Sequence, residues 1–215
     1  MKTLLSDGGL EFKTIDKYNY SSEDIMLFNS TLETINAWGN PNVMENLNLN
    51  GLSKLGSVLR SEAFASDKDL YFVFDQQQLV ATTLLLPSIE LQHSDDLSYF
   101  IKYHNAPRFS KHATKNYMSP QKAQEILDND GKNSCYIHYL VVNPDLQGRG
   151  IGSEVIKTIE SDINFFDQAP NHNALMAMIR NTNTPCINMF QKQGYETCPN
   201  DACLYFDMFY KTLET

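Results

Sequence analysis

Residues 140–153, LVVNPDLQGRGIGS, carry the clearest structural signal in the chain. The apolar run of this stretch ends at Asn143-Pro144-Asp145, which breaks a strand, and three glycines follow at alternate positions before a helical apolar pattern begins. Glycine removes the side chain where backbone must approach a ligand, and the free N–H groups of a helix's first turn bind phosphate oxygens. The stretch therefore predicts a strand, a turn and a helix that bind an anion, most simply a pyrophosphate.

Two other glycine-rich phosphate loops do not fit this stretch. A P-loop ends in Gly-Lys-Ser/Thr, which is absent here. A dinucleotide-binding fingerprint has the spacing Gly-x-Gly-x-x-Gly early in a βαβ unit, whereas this chain has Gly-x-Gly-x-Gly late in its length. The spacing excludes both alternatives.

Regular elements are predicted on both sides of the stretch. On the amino-terminal side, the patterns indicate a helix over 22–38, a polar loop over 39–50, a second helix ending before Ser66, and a hairpin of strands over 70–74 and 79–86. On the carboxyl-terminal side, we predict the following elements: a central strand over 136–142, a helix after Gly152 with Val155, Ile156, Ile159 and Ile163 on its apolar face, a buried strand over 174–179, a short helix from an N-cap at Thr184 to Gly194, and two strands around 195–198 and 203–210.

Domain organisation follows from length and from one irregular segment. A chain of 215 residues can bury a substantial core, and we predict a single domain over 1–215. Residues 88–134 are polar with scattered aromatic side chains, and a helix is predicted from Pro120 to Leu127. That segment is too long for a simple connection and is expected to be an insertion or elaboration of the domain.

The charge and hydropathy of the chain limit the kinds of molecule that it is expected to bind. The chain has 17 basic and 26 acidic residues, a formal charge of −9, which disfavours non-specific binding of nucleic acid and mildly favours a cationic substrate such as an amine. It contains no apolar run of 18 residues, and its first residues become polar at Ser6-Asp7. We therefore predict no membrane association and a cytoplasmic location.

Cysteine and histidine spacings indicate no metal site. Neither a paired Cys-x-x-Cys pattern nor a metal-ligand spacing of histidines is present, so we expect free thiols and no bound metal. The residues concerned are Cys135, Cys186, Cys198, Cys203, His93, His104 and His112.

Two motifs carry a resemblance to a known family. Residues 142–152, VNPDLQGRGIG, resemble the acetyl-CoA signature of the GNAT superfamily of N-acetyltransferases, a strand followed by Gln/Arg-x-x-Gly-x-Gly/Ala. Residues 183–195, NTPCINMFQKQGY, resemble that family's next segment, an Asn-led helix that ends in Gly and an aromatic residue. The resemblance covers roughly residues 135–197 and implies an α/β (α+β) fold: a mixed, mostly antiparallel sheet of about six or seven strands with flanking helices and a splayed centre.

The resemblance also implies a set of cofactor-binding residues. Backbone groups of Leu140, Val141 and Val142 would hold the pantetheine arm and the thioester, and Asn183 would contact the same arm. Phe190 is counted among the residues around the cofactor. The amides of the loop and first helical turn would hold the pyrophosphate: Gln147, Gly148, Arg149, Gly150, Ile151, Gly152 and Ser153. For Arg149, a side-chain contact with phosphate is weighed against a solvated charge at the helix start.

The chemistry implied by the family is direct attack of a primary amine on the acetyl-CoA thioester. The protein then supplies orientation, a route for the amine's proton and donors for the developing oxyanion, for which the N–H of Val142 is the first candidate. His138 lies where arylalkylamine N-acetyltransferases of this family place one of two histidines proposed to relay the proton, and Tyr136 replaces the other. His138 as a plain hydrogen-bonded strand residue, with water as the base, is the alternative.

Phe190 is a departure from the family pattern. Many members have a tyrosine here that is thought to protonate the leaving thiolate, and phenylalanine has no proton to give. The acid could instead be Tyr205, water, or no group at all. This leaves a second hypothesis, a catalytically weak or inactive module that senses acyl-CoA. The acceptor would be a small-molecule or peptide amine. A homodimer is compatible with the resemblance, because dimers are frequent in the family.

Overall fold

The protein is described by a computed structural model over residues 1–16, 19–46, 54–65, 69–87, 134–166, 174–198 and 206–213. Several sequence predictions lie outside these residues, among them the elaborated segment over 88–133 with its helix and Tyr205 as a proton donor.

Eight strands form one mixed sheet within the described residues, in the order β1-β2-β3-β4-β5-β6-β8-β7. Antiparallel registers join β1 to β2, β2 to β3, β3 to β4, β6 to β8 and β7 to β8, while β5 and β6 are parallel over Ser134–Ile137 and Ala174–Ala177. The strands are β1 (Lys2–Leu5), β2 (Glu11–Thr14), β3 (Asp69–Asp75), β4 (Gln78–Pro87), β5 (Ser134–Val142), β6 (Ala174–Arg180), β7 (Glu196–Cys198) and β8 (Phe206–Thr212).

The predicted α/β class with a mostly antiparallel sheet is confirmed, and the described residues contain eight strands where about six or seven were expected. The strands that were missed are β1 and β2, each of four residues. Four residues are too few for an alternating apolar pattern to stand out, and β1 is mostly exposed, so it carries almost no apolar signal. These two strands are held by their register with each other and with β3.

Six helices and one 3₁₀ turn accompany these strands in the described part of the chain. They are α1 (Ser22–Asn36), α2 (Pro41–Asn46), α3 (Leu55–Ala65), the 3₁₀ turn (Pro144–Leu146), α4 (Ile151–Ser161), α5 (Ile163–Phe166) and α6 (Thr184–Lys192). The expected loop over 39–50 is wrong in part, because α2 begins at Pro41, a residue favoured in a first helical turn. Ile163 was expected on the apolar face of α4 but begins the separate helix α5.

The first of two compact units consists of residues 1–86 and 138–166. On one face of its strands, α1, α2 and α3 bury one apolar cluster. Helix α1 begins with a capping box at Ser21 and Asp24, and Gly56 of α3 crosses it closely. The Gly56 N–H donates to Oδ1 of Asn36 at 2.9 Å. The cluster comprises Ile15, Phe28, Leu32, Ile35, Trp38, Val43, Met44, Leu55, Leu59, Ala63, Leu70, Phe72, Leu84 and Val141.

A second apolar contact in this unit attaches α5 to the strands. The ring of Phe166 lies 5.2 Å from that of Phe12 and 4.9 Å from that of Tyr71, both edge-on. The Tyr71 hydroxyl also donates to the Phe166 carbonyl at 3.1 Å. Tyr71 and Phe72 are neighbours on β3 and project from opposite faces, so α5 packs on the face that α1 and α3 do not cover.

The second unit comprises residues 87–137 and 167–215, of which β6, β7, β8, α6 and the start of β5 are described. Helix α6 packs through Phe190, which is buried with its ring 4.7 Å from Tyr195 and 5.8 Å from Phe209 of β8. These contacts hold α6, the helix that follows β6, against β8, which is the antiparallel neighbour of β6.

Candidate functional site

The end of β5 presents its backbone groups to two different sides. The Asn143 N–H donates to the Val80 carbonyl at 2.9 Å, and the Thr83 hydroxyl donates to the Tyr139 carbonyl at 2.9 Å. Residues 139 and 143 therefore direct these groups towards β4. Because backbone groups alternate along a strand, the N–H and C=O groups of Leu140 and Val142 face the other edge of β5.

The side chains of this strand segment differ in their surroundings. Val141 is buried and belongs to the cluster under α1 and α3, and its backbone groups, like those of residues 139 and 143, face β4. Leu140 and Val142 are half-buried. The backbone edge formed by Leu140 and Val142 is thus the part of the strand suited to hydrogen bonding with an extended molecule.

A 3₁₀ turn connects β5 to the glycine loop. Its N-cap is Asn143, whose Oδ1 accepts from the Asp145 N–H at 3.1 Å. The next residue, Gln147, donates from its side-chain Nε2 to the Val142 carbonyl at 3.3 Å. This bond joins the loop to the end of the strand, on the edge away from β4.

Two glycines of the loop adopt a backbone conformation that other residues avoid. Gly148 has φ 79° and Gly150 has φ 86°, both in the left-handed region. A Cβ atom built on either glycine would meet no protein atom within 4 Å. Side chains at these positions would therefore project into space beside the loop, where a ligand could approach the backbone.

The first turn of α4 has the donors that an anion requires. Its N-cap is Gly150, which has no side chain to accept from the helix's first N–H groups. Those groups belong to Ile151, Gly152 and Ser153, and the exposed guanidinium-bearing side chain of Arg149 lies beside them in sequence. The helix dipole adds partial positive charge at this end, so the residues present fit a phosphate or pyrophosphate group.

Helix α4 holds this turn in place through its buried face. Gly152, Val155, Ile156 and Ile159 are buried along the helix. On its other side, the Glu154 carboxylate abuts Gly8 of the β1–β2 turn, where an added Cβ would overlap it. The first turn of α4 is therefore supported by packing and not only by its own hydrogen bonds.

The two residues proposed to move a proton lie further back on β5. Tyr136 and His138 are both half-buried and, being two residues apart, project from the same face of the strand. The His138 ring lies 4.2 Å from the Tyr139 ring at an interplanar angle of 43°. Both Tyr136 and His138 therefore lie on the strand that leads to the glycine loop.

Asn183 and Phe190, the remaining predicted site residues, lie in the second unit. The N-cap of α6 is Asn183, not Thr184 as the sequence indicated, because the Asn183 Oδ1 accepts from the Cys186 N–H at 3.4 Å. Thr184 and Pro185 then form the first helical positions. Phe190 is buried among aromatic rings, so its side chain acts in packing.

Other sequence expectations concern thiols, metals and membranes. Cys135 and Cys186 are free thiols, and burial raises the pKa of Cys186 to about 12. Within the described ranges, no group of three or more His, Cys, Asp or Glu residues could hold a metal ion. No helix in that part of the chain is long and apolar enough to cross a membrane.

Two side chains that donate hydrogen bonds to carbonyls of β5 were missed by sequence reasoning. The Gln147 side chain binds the strand carbonyl, whereas only its backbone amide was considered. Thr83 donates to the same strand from β4. A pair of threonines in an otherwise apolar strand was the available signal, because buried hydroxyls need partners.

Comparison with known proteins assigns the chain to a family. The sequence model of the acetyltransferase (GNAT) family matches residues 61–195, which is more than half of the chain. No curated protein matches the sequence closely enough to count as a relative.

Solved structures share the fold at low sequence identity. An acetyl transferase from Salmonella typhimurium that modifies the N-terminal serine of ribosomal protein L7/L12 is 13% identical, with 95% of each chain covered and a TM-score of 0.52. The aminoglycoside acetyltransferase AAC(6')-Ib in complex with coenzyme A is 9% identical, with 95% of each chain covered and a TM-score of 0.54. The GNAT domain of S. lividans PAT is 11% identical over 99% of this chain and 96% of its own, with a TM-score of 0.58.

Proposed function

Because the chain belongs to the acetyltransferase (GNAT) family, we propose that it is an N-acetyltransferase that uses acetyl-CoA to acetylate a primary amine. The observation that carries the proposal is the pair of left-handed glycines, Gly148 and Gly150, with no protein atom where their side chains would be. They stand at the start of α4, whose first N–H groups have no side-chain cap from Gly150. This is a loop built for close approach of a phosphate to backbone.

The proposed cofactor contacts rest on this geometry together with the family's motifs. The amides of Gln147 to Ser153 hold the pyrophosphate, with Arg149 adding charge beside it. The edge of β5 formed by Leu140 and Val142 holds the pantetheine arm through backbone hydrogen bonds. Asn183, whose Oδ1 caps α6, is proposed to contact the arm because it matches the leading asparagine of the family's second motif. In AAC(6')-Ib, a protein with the same fold, coenzyme A is bound.

The proposed chemistry needs little from the protein beyond position. Acetyl-CoA supplies the acetyl group in activated form, as a thioester. The N–H groups of Leu140 and Val142 face one edge of β5 and are the donors proposed for the thioester carbonyl. His138 takes the proton of the attacking amine, with Tyr136 two residues away on the same face as its partner in the proton route.

The proposed acceptor is a primary amine on a small molecule or a peptide. Among proteins with this fold, one acts on an aminoglycoside and another on the N-terminal serine of a ribosomal protein. The acidic balance of the chain, 26 acidic against 17 basic residues, favours a cationic acceptor. Both small amines and peptide amino termini meet this description.

A second candidate function is supported by Phe190. Its ring is buried against Tyr195 and Phe209 and has no ionisable group, so position 190 cannot protonate a leaving thiolate. A protein that binds acyl-CoA and turns it over weakly or not at all would tolerate this replacement. A thiolate is nevertheless a tolerable leaving group without a dedicated acid, which keeps the enzyme as the first candidate.

The test combines turnover and binding on one sample. Release of free thiol from acetyl-CoA is followed against a panel of polyamines, aminoglycosides, amino acids and peptides, and CoA binding is measured by calorimetry. Release with one class of amine supports the enzyme and names its acceptor. Tight CoA binding without release on any acceptor favours the sensor. Absence of both would overturn the phosphate loop itself.

A further inference from the structure

We propose that Thr83 is a positioning residue that fixes and polarises the Tyr139–Leu140 peptide of β5. Its hydroxyl donates to the Tyr139 carbonyl at 2.9 Å, and its side chain is fully buried. This inference rests on the proposed function, because that function gives the peptide's N–H group a ligand.

The peptide in question has its two polar groups on opposite sides of the strand. The Tyr139 carbonyl faces β4 and accepts from Thr83, while the N–H of the same peptide, which belongs to Leu140, faces the other edge. A hydrogen bond at the carbonyl draws electron density from the amide nitrogen, and hydrogen bonds in such a chain strengthen one another. Thr83 therefore makes the Leu140 N–H a stronger and better-oriented donor.

The distance of the Leu140 N–H from the loop indicates which part of the cofactor it would meet. The pyrophosphate loop begins directly after the turn that follows Val142, so a pantetheine arm laid along β5 passes Val142 first. Leu140 lies two residues, or roughly 7 Å, further from the loop. Its N–H is accordingly the one nearer the acyl end of the cofactor, where the carbonyl that gains negative charge is located.

Thr82 offers a matched control on the same strand. It is also fully buried, and its hydroxyl donates to a backbone carbonyl, that of Tyr71 on β3, at 3.0 Å. Replacing either threonine by valine removes one buried hydrogen bond of the same kind. Only the Thr83 bond belongs to a peptide whose N–H faces the proposed cofactor edge.

The experiment compares Thr83→Val, Thr82→Val and Thr83→Ser with the parent. Both valine variants should lose similar amounts of thermal stability. Thr83→Val alone should lower kcat about fivefold, with the KM for acetyl-CoA unchanged within about twofold, and Thr83→Ser should restore most of the rate. The amide nitrogen-15 shift of Leu140, which responds to hydrogen bonding at its own peptide carbonyl, should move in Thr83→Val and not in Thr82→Val.

The outcomes separate this inference from the proposed function. Equal kcat values for the two valine variants, or an unmoved Leu140 shift, overturn the role of Thr83 while the parent's turnover still supports an acetyltransferase. A parent that releases no thiol with any amine overturns the proposed function, and a Leu140 shift that still moves would then show the peptide polarisation on its own.

Discussion

Replacement of Gly150 by valine tests the phosphate loop with an internal control. Gly150 and Gly9 have the same φ, +86°, and an added Cβ at either position meets no protein atom within 4 Å. A non-glycine residue in the left-handed region costs roughly 1–2 kcal/mol, and a β-branched one more, so both variants should lose similar amounts of folding free energy. Strain alone therefore does not distinguish them.

Ligand binding should distinguish the two variants strongly. A valine at Gly150 projects into the space from which a phosphate would reach the first turn of α4, whereas Gly9 lies in the β1–β2 turn. Loss of two charge-assisted hydrogen bonds, worth about 1.5–3 kcal/mol each, corresponds to a Kd for CoA raised at least ~100-fold. Calorimetric titration with CoA and a thermal melt on each variant give both quantities. If Gly150→Val binds CoA as well as Gly9→Val does, the loop is not the phosphate site.

The remaining predictions concern the proton route, the helix packing and the Cys186 thiol. His138→Ala should lower the maximal rate by about 100-fold with little change in acetyl-CoA affinity, and an unchanged rate in steady-state assays would remove His138 as the base. Gly56→Ala should cost about 1–3 kcal/mol in urea unfolding because its Cβ would overlap the Leu32 carbonyl, while Ser57→Ala on the exposed side of α3 should cost almost nothing. Cys186 has its pKa raised from 9.0 to about 12, so the unfolded chain ionises first and the parent should lose stability relative to Cys186→Ala as pH rises above 9.0; a constant difference between pH 8 and 11 would contradict this.

Sequence reasoning found the elements whose signal is local. The strand–turn–helix around the glycines was predicted because a strand break, a glycine spacing and a helical apolar face occur in succession, and all three are properties of neighbouring residues. The strands of the hairpin, β3 and β4, were found in the same way. Their turn residues, Gln76 and Gln77, have φ 47° and 72°. Glutamine in a sequence does not predict this left-handed conformation, which Asn and Gly favour in such turns.

The rest depends on contacts between distant parts of the chain. Strand β2 is defined by its register with β3, which lies more than fifty residues away, and β1 by its register with β2. The bond from Thr83 to the Tyr139 carbonyl spans 56 residues, and no local pattern reveals its partner. The N-cap of α6 was misplaced by one residue because Asn183 and Thr184 both favour capping, and only the bond from the Cys186 N–H decides between them.

The bond between Gln147 and the Val142 carbonyl has a kinetic consequence. Together with the Asn143 cap and the left-handed Gly150, it fixes the loop through hydrogen bonds and backbone conformations that need no ligand. These residues therefore lose their conformational entropy when the chain folds. An incoming anion would find its donors already arranged. Association should be governed by diffusion and orientation, with no slow ordering step of the loop to wait for, and differences in affinity between related ligands should then lie in their rates of departure.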